Sequence, residues 1–539
     1  MKAKYLYLML GAAMAVLPAC SDHYMDLASE EDMSTSIVFS DVKYVKGAVN
    51  GVGKLMSQIY DSGGFGRQGY NGEATIQLWY GAYMGNDAQY SNATSYADLV
   101  NLRCFTNTTI GANYYPWYYY YTIISNANAI IIHADEAVGA QAEKDFYKAQ
   151  ALTYRAHAYT GLLQLYSKRW SDSNNGASRG VPLRLAEDKG DIACASQAQV
   201  YDQIYADLDL ALELYASSGM DRESTIQVNA DVAHGIYARA ALNKQDWATA
   251  AQHAAKAREG YSLMDADEYK SGFNTPNSEW IWNTHTDATE NLGVYGFFAY
   301  VGANTPSSKG YKYIGSISKN LIEQIPESDA RRWLYMVPNE GESGWSTSNS
   351  GQAKKGDFYT RVRAEYADKI VLKSTYIFAY MSVKFQTITD RSIGDVCMMR
   401  AAEMIYDEAE ALYMAGGQEA KVRSLLEQAV KPYQPGYTCS LSGQALLDEI
   451  KLYKRFDLWG EGRGWFDQKR WGVDNKRYGW NEGGNWHPDF CGSTSDGGSY
   501  KANEKNNWTM AIPNKETDYN KLINQNIEPA NWSASSTEQ

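Results

Sequence analysis

A chain of 539 residues, 44% hydrophobic and with a formal net charge of -13, has ample material for a buried core. Its excess of acid offers phosphate backbones and acidic lipids no basic footprint, which argues against nucleic-acid binding and favours a neutral ligand or a protein partner. Tyrosine is the outlier: 43 Tyr, with 15 Trp and 13 Phe, supply flat apolar faces with polar handles, a composition suited to contact surfaces.

The first element is a leader. Lys2 and Lys4 precede an apolar stretch from Tyr5 to Leu17, closed by Leu17-Pro18-Ala19-Cys20. A charged start, a short apolar segment and small residues before a cleavage point make a signal peptide over residues 1–19. The stretch is shorter than the ~20 residues of a spanning helix. The closing tetrapeptide resembles a bacterial lipobox, which makes Cys20 the lipid-modified first residue of the mature chain. No later stretch is apolar enough to span, so the expected membrane anchor is lipid alone, at ~0.8 kcal/mol per buried CH₂. The other cysteines, Cys104, Cys194, Cys397, Cys439 and Cys491, are scattered and odd in number. No pair has metal-ligand spacing, and they read mostly as buried small residues with room for one bridge.

Segments 60–109 and 273–390 are rich in Gly, Ser, Asn and aromatics and weak in periodicity. Loops of that length are usually functional, and the aromatic content argues against disorder. Between them helical spacing dominates. Residues 145–166 read as one helix, with Ala149, Leu152, Ala156, Tyr159, Leu163 and Tyr166 at three- and four-residue steps, and 197–215 read as a second. Residues 231–261 read as a helix pair turning at Asp246-Trp247, with Ala250, Ala254 and Ala257 in its second arm. Residues 400–430 read as another, turning at Gly416-Gly417. Small residues at this spacing resemble the tetratricopeptide pattern, and about three pairs suffice for a short superhelix. Tyr118 to Tyr121 are consecutive on a helix, so some must reach a surface or a neighbouring loop.

Catalytic signatures are missing: there is no H-E-x-x-H, no G-x-S-x-G and no phosphate-binding loop. His133, His157, His234 and His253 lie in helical segments without ligand spacing. Asp172 to Gly176 has part of a calcium loop's ligand alternation and reads as a turn. The 63 acidic residues leave a glycosidase carboxylate pair open.

The C-terminal region carries a resemblance. Glu461 to Gly472, E-G-R-G-W-F-D-Q-K-R-W-G, resembles the E-G-x-R-W-F-D-L-K-R-W-G signature of SusD-like (RagB/SusD) proteins. Ile450 to Leu458 resembles the family's I-x-x-E-R-x-x-E-L, with Tyr453 or Lys454 at the first glutamate and Asp457 at the second. Arg400 to Leu412, Trp117 to Asn128, Gln150 to Tyr166, Val181-Pro182-Leu183 and Ala511-Ile512-Pro513 with Asn524-Gln525-Asn526 resemble further family segments in order.

The resemblance implies a mainly α fold of tetratricopeptide-like helix pairs forming a short superhelix, with long aromatic-rich loops packed on it, as a single domain over residues 20–539. It implies a lipid-anchored protein on the outer face of the outer membrane. Such a protein binds oligo- or polysaccharide and delivers it to a SusC-type TonB-dependent transporter, with no catalysis; the sequence assigns no cofactor and no metal-ligating residue, and leaves a structural metal ion open. A surface glycoside hydrolase and a scaffold without sugar binding are the competing readings. Sugar rings stack on aromatics while amides, carboxylates and Arg take hydroxyl pairs. The candidate contacts are Arg67, Tyr70, Trp79, Tyr83, Asn86, Asp87 and Tyr90 from the first loop segment, with Tyr295, Phe298 and Tyr300 from the second. Trp79 and Tyr83, four apart, also fit one face of a core helix. Trp465, Phe466, Asp467, Lys469, Arg470 and Trp471 read as architectural, pinning a segment by charge-assisted hydrogen bonds.

Overall fold

The computed structural model describes residues 35–60, 70–90, 97–286, 296–305, 315–347, 351–388, 393–486, 499–500 and 508–523. The leader, Cys20, Arg67, Tyr295 and Cys491 lie outside them.

Ten helices set the frame: α1 Val42–Leu55, α2 Gly111–His133, α3 Gln141–Tyr166, α4 Gln197–Ser218 and α5 Ala230–Lys244. They are followed by α6 Trp247–Ala257, α7 Ala401–Ala415, α8 Glu419–Val430, α9 Gly443–Asp457 and α10 Gly464–Trp471. From α2 to α8 each helix packs on the next, and α6 on α7 joins the two halves of the chain into one stack. Small residues permit that join, since Ala241, Ala250, Ala251 and Ala411 are buried together there.

The helix boundaries follow from side-chain chemistry. Ser196 and Gln199 close a capping box at the start of α4. Gln245 takes a left-handed conformation to end α5, and Asp246 accepts from Thr249 N–H to begin α6, so the expected Asp246-Trp247 turn is built by a stop and a cap side by side.

Helix α2 contains Pro116, which cannot donate to Ala112 O. The Tyr80 hydroxyl donates to that carbonyl instead, at 2.7 Å. The Tyr166 hydroxyl donates to Asn113 O and accepts from Trp117 N–H at 3.1 Å, standing in for the next helical bond. Helix α3 is buried on almost every side, and its polar groups are matched: Arg155 donates to both Asp207 oxygens, at 2.8 and 2.6 Å, and to Asn128.

The strands are short. β1 Ala88–Tyr90 pairs antiparallel with β5 Gly315–Ile317, and β2 Arg179–Pro182 with β3 Cys194–Ser196. β4 Trp280–Thr284 pairs with β9 Val396–Arg400. The ribbon of β6 Trp345–Ser346, β7 Gln352–Ala353 and β8 Ile377–Phe378 lies between β5 and β9 in the chain. Among the described residues no helix is long and apolar enough to cross a membrane. Cys104 and Cys397 are buried, and Cys194 and Cys439 are half-buried.

Candidate functional site

The two aromatic loop segments meet. Residues Ile76–Ala82 form a π-helix, and Tyr83 N–H donates five residues back to Leu78 O at 3.0 Å. The Trp79 ring lies 5.1 Å from Tyr83 and 5.3 Å, edge-on, from Tyr300. Tyr300 and Phe298 sit on the short helix Phe297–Val301. The β1–β5 ladder, with Ala88 opposite Ile317 and Tyr90 opposite Gly315, makes a second join.

Direct sugar stacking needs an open ring face, and the structure places these rings otherwise. Trp79, Tyr83 and Phe298 are each 1% exposed, Tyr300 2% and Tyr70 8%. Tyr70 packs on Tyr115 at 4.5 Å. They form the inner wall of the junction rather than its surface. The physical reason is packing on every side: all residues from Gly72 to Gly85 are buried, with Gly81 against Gly462, Tyr83 against Gly315 and Trp79 against Tyr300.

Asn86 and Asp87 also hold protein. The Asp87 carboxylate accepts from Arg455 Nε at 2.8 Å, and its carbonyl accepts from Trp459 Nε1 at 2.9 Å. Asn86 Nδ2 donates to Asp474 O at 2.9 Å while its Oδ1 accepts from Lys476 N–H. Tyr90 lies on β1. Sequence reasoning missed this supporting role because Arg455, Trp459, Asp474 and Lys476 lie far along the chain, in and beside the C-terminal motifs.

A cleft of about 1110 Å³ runs along the outer face of α2, between that helix, residues 35–40, residues 184–189 and residues 515–516. Tyr114, Tyr118 and Tyr121 lie half-buried along it, while Tyr115, Tyr119 and Tyr120 on the opposite face are buried, which is the split expected for consecutive tyrosines. Lys515 Nζ sits 4.7 Å over the Tyr114 ring, and Trp117 Nε1 donates to Glu516 at 3.1 Å. Tyr121 donates to Pro182 O, and Asn128 Nδ2 to Arg184 O. His133 lies between Glu187 at 2.8 Å and Glu136 at 3.2 Å. Burial opposes charging of this imidazole, but the two carboxylates outweigh it and raise its pKa.

Among the described residues no group of three or more His, Cys, Asp and Glu is placed to hold a metal ion. His234 and His253 touch through Nδ1 at 2.9 Å on α5 and α6, and burial lowers both to about 4. Asp172 accepts from Arg169 Nε at 2.6 Å within a tight turn in which Asn174, Asn175 and Gly176 all have positive φ.

A family model described as "SusD family" matches residues 170–532, and one described as "Starch-binding associating with outer membrane" matches residues 24–242. The chain belongs to the SusD family. A SusD-like carbohydrate binding protein from Bacteroides vulgatus is 22% identical, with a TM-score of 0.71 over 90% of this chain and 97% of that one. A SusD superfamily protein from Bacteroides thetaiotaomicron is 19% identical, with a TM-score of 0.70 over 90% and 99%. Surface glycan-binding protein A from the same organism, in complex with laminarihexaose, is 18% identical, with a TM-score of 0.62 over 89% and 98%. At these identities the likeness is one of fold. No curated protein sequence matches the chain.

In this SusD-family fold the C-terminal motifs form a buried network of charges. Arg400 is 1% exposed and donates to Glu279, Asp457 and Glu461, each at 2.7 Å. Burial alone would raise the Asp457 carboxyl; Arg400 and Arg331 overcome this and hold it down to about 2. Lys454 lies 2.7 Å from Asp407 and 2.8 Å from Asp467, so the loosened motif position carries a cation that carboxylates surround. Arg470 donates to Glu410 at 2.7 Å and Asp467 at 2.8 Å, Trp471 Nε1 donates to Glu410, and Lys469 donates to Gln164 O and Ser167 O. Trp465 is fully buried. The segment works as architecture.

Proposed function

We propose that this protein captures neutral oligo- or polysaccharide at the cell surface, lipid-anchored through Cys20 on the outer membrane, and passes it uncleaved to a SusC-type TonB-dependent transporter. The observation that carries the reading is the shared fold, over nearly nine-tenths of the chain, with a surface glycan-binding protein in complex with laminarihexaose. The join of the two aromatic loop segments through β1–β5 and Trp79–Tyr300 supports a ligand site at that junction.

In this reading Tyr70, Trp79, Tyr83, Phe298 and Tyr300 form the packed wall behind the loops, and Asn86 and Asp87 hold them to the C-terminal region. Arg67, Tyr90 and Tyr295 are then the residues to substitute first for direct sugar contact. A shallow surface site gives modest affinity, because few contacts offset the cost of association. High local concentration beside a transporter compensates for that.

The test is binding of the mature chain to immobilised neutral glycans, with every bound glycan assayed for shortened products and the partner sought by co-purification. Binding without products, and recovery with an outer-membrane transporter, are expected. Products would make the protein a hydrolase; partner recovery without any glycan binding would make it a scaffold.

A further inference from the structure

We infer that the cleft along α2 is a carbohydrate-binding surface separate from the loop junction, taking an extended neutral oligosaccharide. This rests on the reading of the protein as a glycan binder. The cleft's location makes it separate. Tyr115 and Tyr119 on the inner face of α2 pack on Tyr60, and Tyr115 also packs on Tyr70, whereas Tyr114 and Tyr121 face the cleft and Tyr118 lines it while meeting Tyr60 edge-on at 6.1 Å.

The chemistry of the walls selects the ligand. Tyr114, Tyr118, Tyr121 and Ser125 follow one another at steps of four, three and four residues, so they line one stripe of the helix for about 16 Å. Tyr114 and Tyr118 along that stripe are half-buried aromatic groups with hydroxyl tips, suited to the C–H face and hydroxyl rim of a pyranose, while Tyr121 is tied through its hydroxyl to Pro182 O and Lys515 covers one face of Tyr114. The Tyr114 and Tyr118 rings lie 5.8 Å apart and are tilted 51° to one another, so they are two facets of the stripe and not one flat platform.

The charged side chains of the wall are balanced among themselves. Arg184 lies 3.9 Å from Glu516 and 3.8 Å from Asp188, and His133 contacts Glu187 and Glu136. Carboxylates held this way accept hydroxyl pairs without demanding a cationic ligand, and the guanidinium donates without demanding an anionic one. The exposed amide of Asn126 and hydroxyl of Ser125 add neutral donors and acceptors at the helix end of the stripe. A peptide fits less well. The floor is a helix with no free strand edge to extend, and the stripe carries aromatic platforms instead of aliphatic anchor pockets.

The experiment is an array of neutral and acidic oligosaccharides probed with the mature chain and with two single variants. Tyr118→Ala removes the central platform. Ser125→Arg places a long side chain over the stripe from an exposed helical position where folding is unaffected. At least a tenfold loss of binding to one or more neutral glycans in both variants, with unchanged melting midpoints for Ser125→Arg, is expected. Neutral-glycan signals equal to wild type in both variants would overturn the cleft while leaving capture at the junction intact. Silence of the wild-type chain across the whole array would overturn both, and retention of acidic glycans alone would overturn the neutral assignment.

Discussion

Asp87 and Arg455 meet at 2.8 Å across the boundary between the first aromatic segment and helix α9. Asp87 is largely buried and Arg455 partly so; the pair fixes the residue just before the β1 ladder, and Ser318 N–H donates to the Asp87 carbonyl from beside β5. One ion pair therefore supports both halves of the loop junction. Arg455→Ala is expected to cost about 1–3 kcal/mol, the penalty of leaving a largely buried acceptor unmatched. It should also weaken glycan binding, although Arg455 need not touch sugar. Chemical denaturation and titration of the same variant check both effects, and Arg455→Lys should restore only part, because a lysine cannot bond the carboxylate through two parallel donors.

Gly81 and Gly462 bring the π-helix against the C-terminal signature. A Cβ on Gly81 would stand 2.2 Å from Gly462 O, and one on Gly462 would stand 2.7 Å from Gln77 Cα, with φ at +82° besides. Backbone cannot yield as a flexible side chain can. Gly81→Ala is expected to destabilise by about 1–3 kcal/mol, read as a fall in the denaturation midpoint. Gly47→Ala, on α1 with open space around it, serves as the neutral control.

Tyr80→Phe removes only a hydroxyl, the one that satisfies the Ala112 carbonyl left free by Pro116. The site is fully buried, so no water replaces the bond. A loss of about 1–3 kcal/mol is expected, and Tyr80→Phe with Pro116→Ala should recover part of it, since the helix can then make its own bond.

Acid should unfold the protein from its C-terminal network outward. Asp457 titrates at about 2 in the folded protein, below the ~3.9 of an unfolded aspartate. A depressed carboxyl contributes stability that is complete above about pH 4 and is lost as pH falls through about 2. The contribution is on the order of 2 kcal/mol, and Asp467, also held at about 2 after Lys454 and Arg470 overcome its burial, acts in the same direction. Denaturation midpoints measured from pH 6 to pH 2 should fall steeply only below about pH 4, and Asp457→Asn should flatten that slope while lowering stability at pH 6.

The helix pairs were legible because small residues and three- and four-residue steps are local signals: Ala250, Ala254 and Ala257 line the buried face of α6 as their spacing implied. The architectural reading of Trp465 to Trp471 was legible for the same reason, the motif itself holding both partners of an Arg470–Asp467 pair. The placement of Trp79, Tyr83 and Tyr300 was not. A π-helix shifts the face a residue presents, and the covering partners come from a distant part of the chain. The cleft was half legible: consecutive tyrosines had to divide between core and surface, but nothing local tells that residues 184–189 and 515–516 wall a cleft beside the outer three.

The measurement that bears most directly on the whole account is titration of the mature chain with neutral oligosaccharides, laminarihexaose first, followed by chromatography of the recovered sugar. The account predicts saturable binding to at least one neutral glycan, with the sugar recovered at full length. Shortened products, or no saturable binding to any neutral glycan, would contradict it.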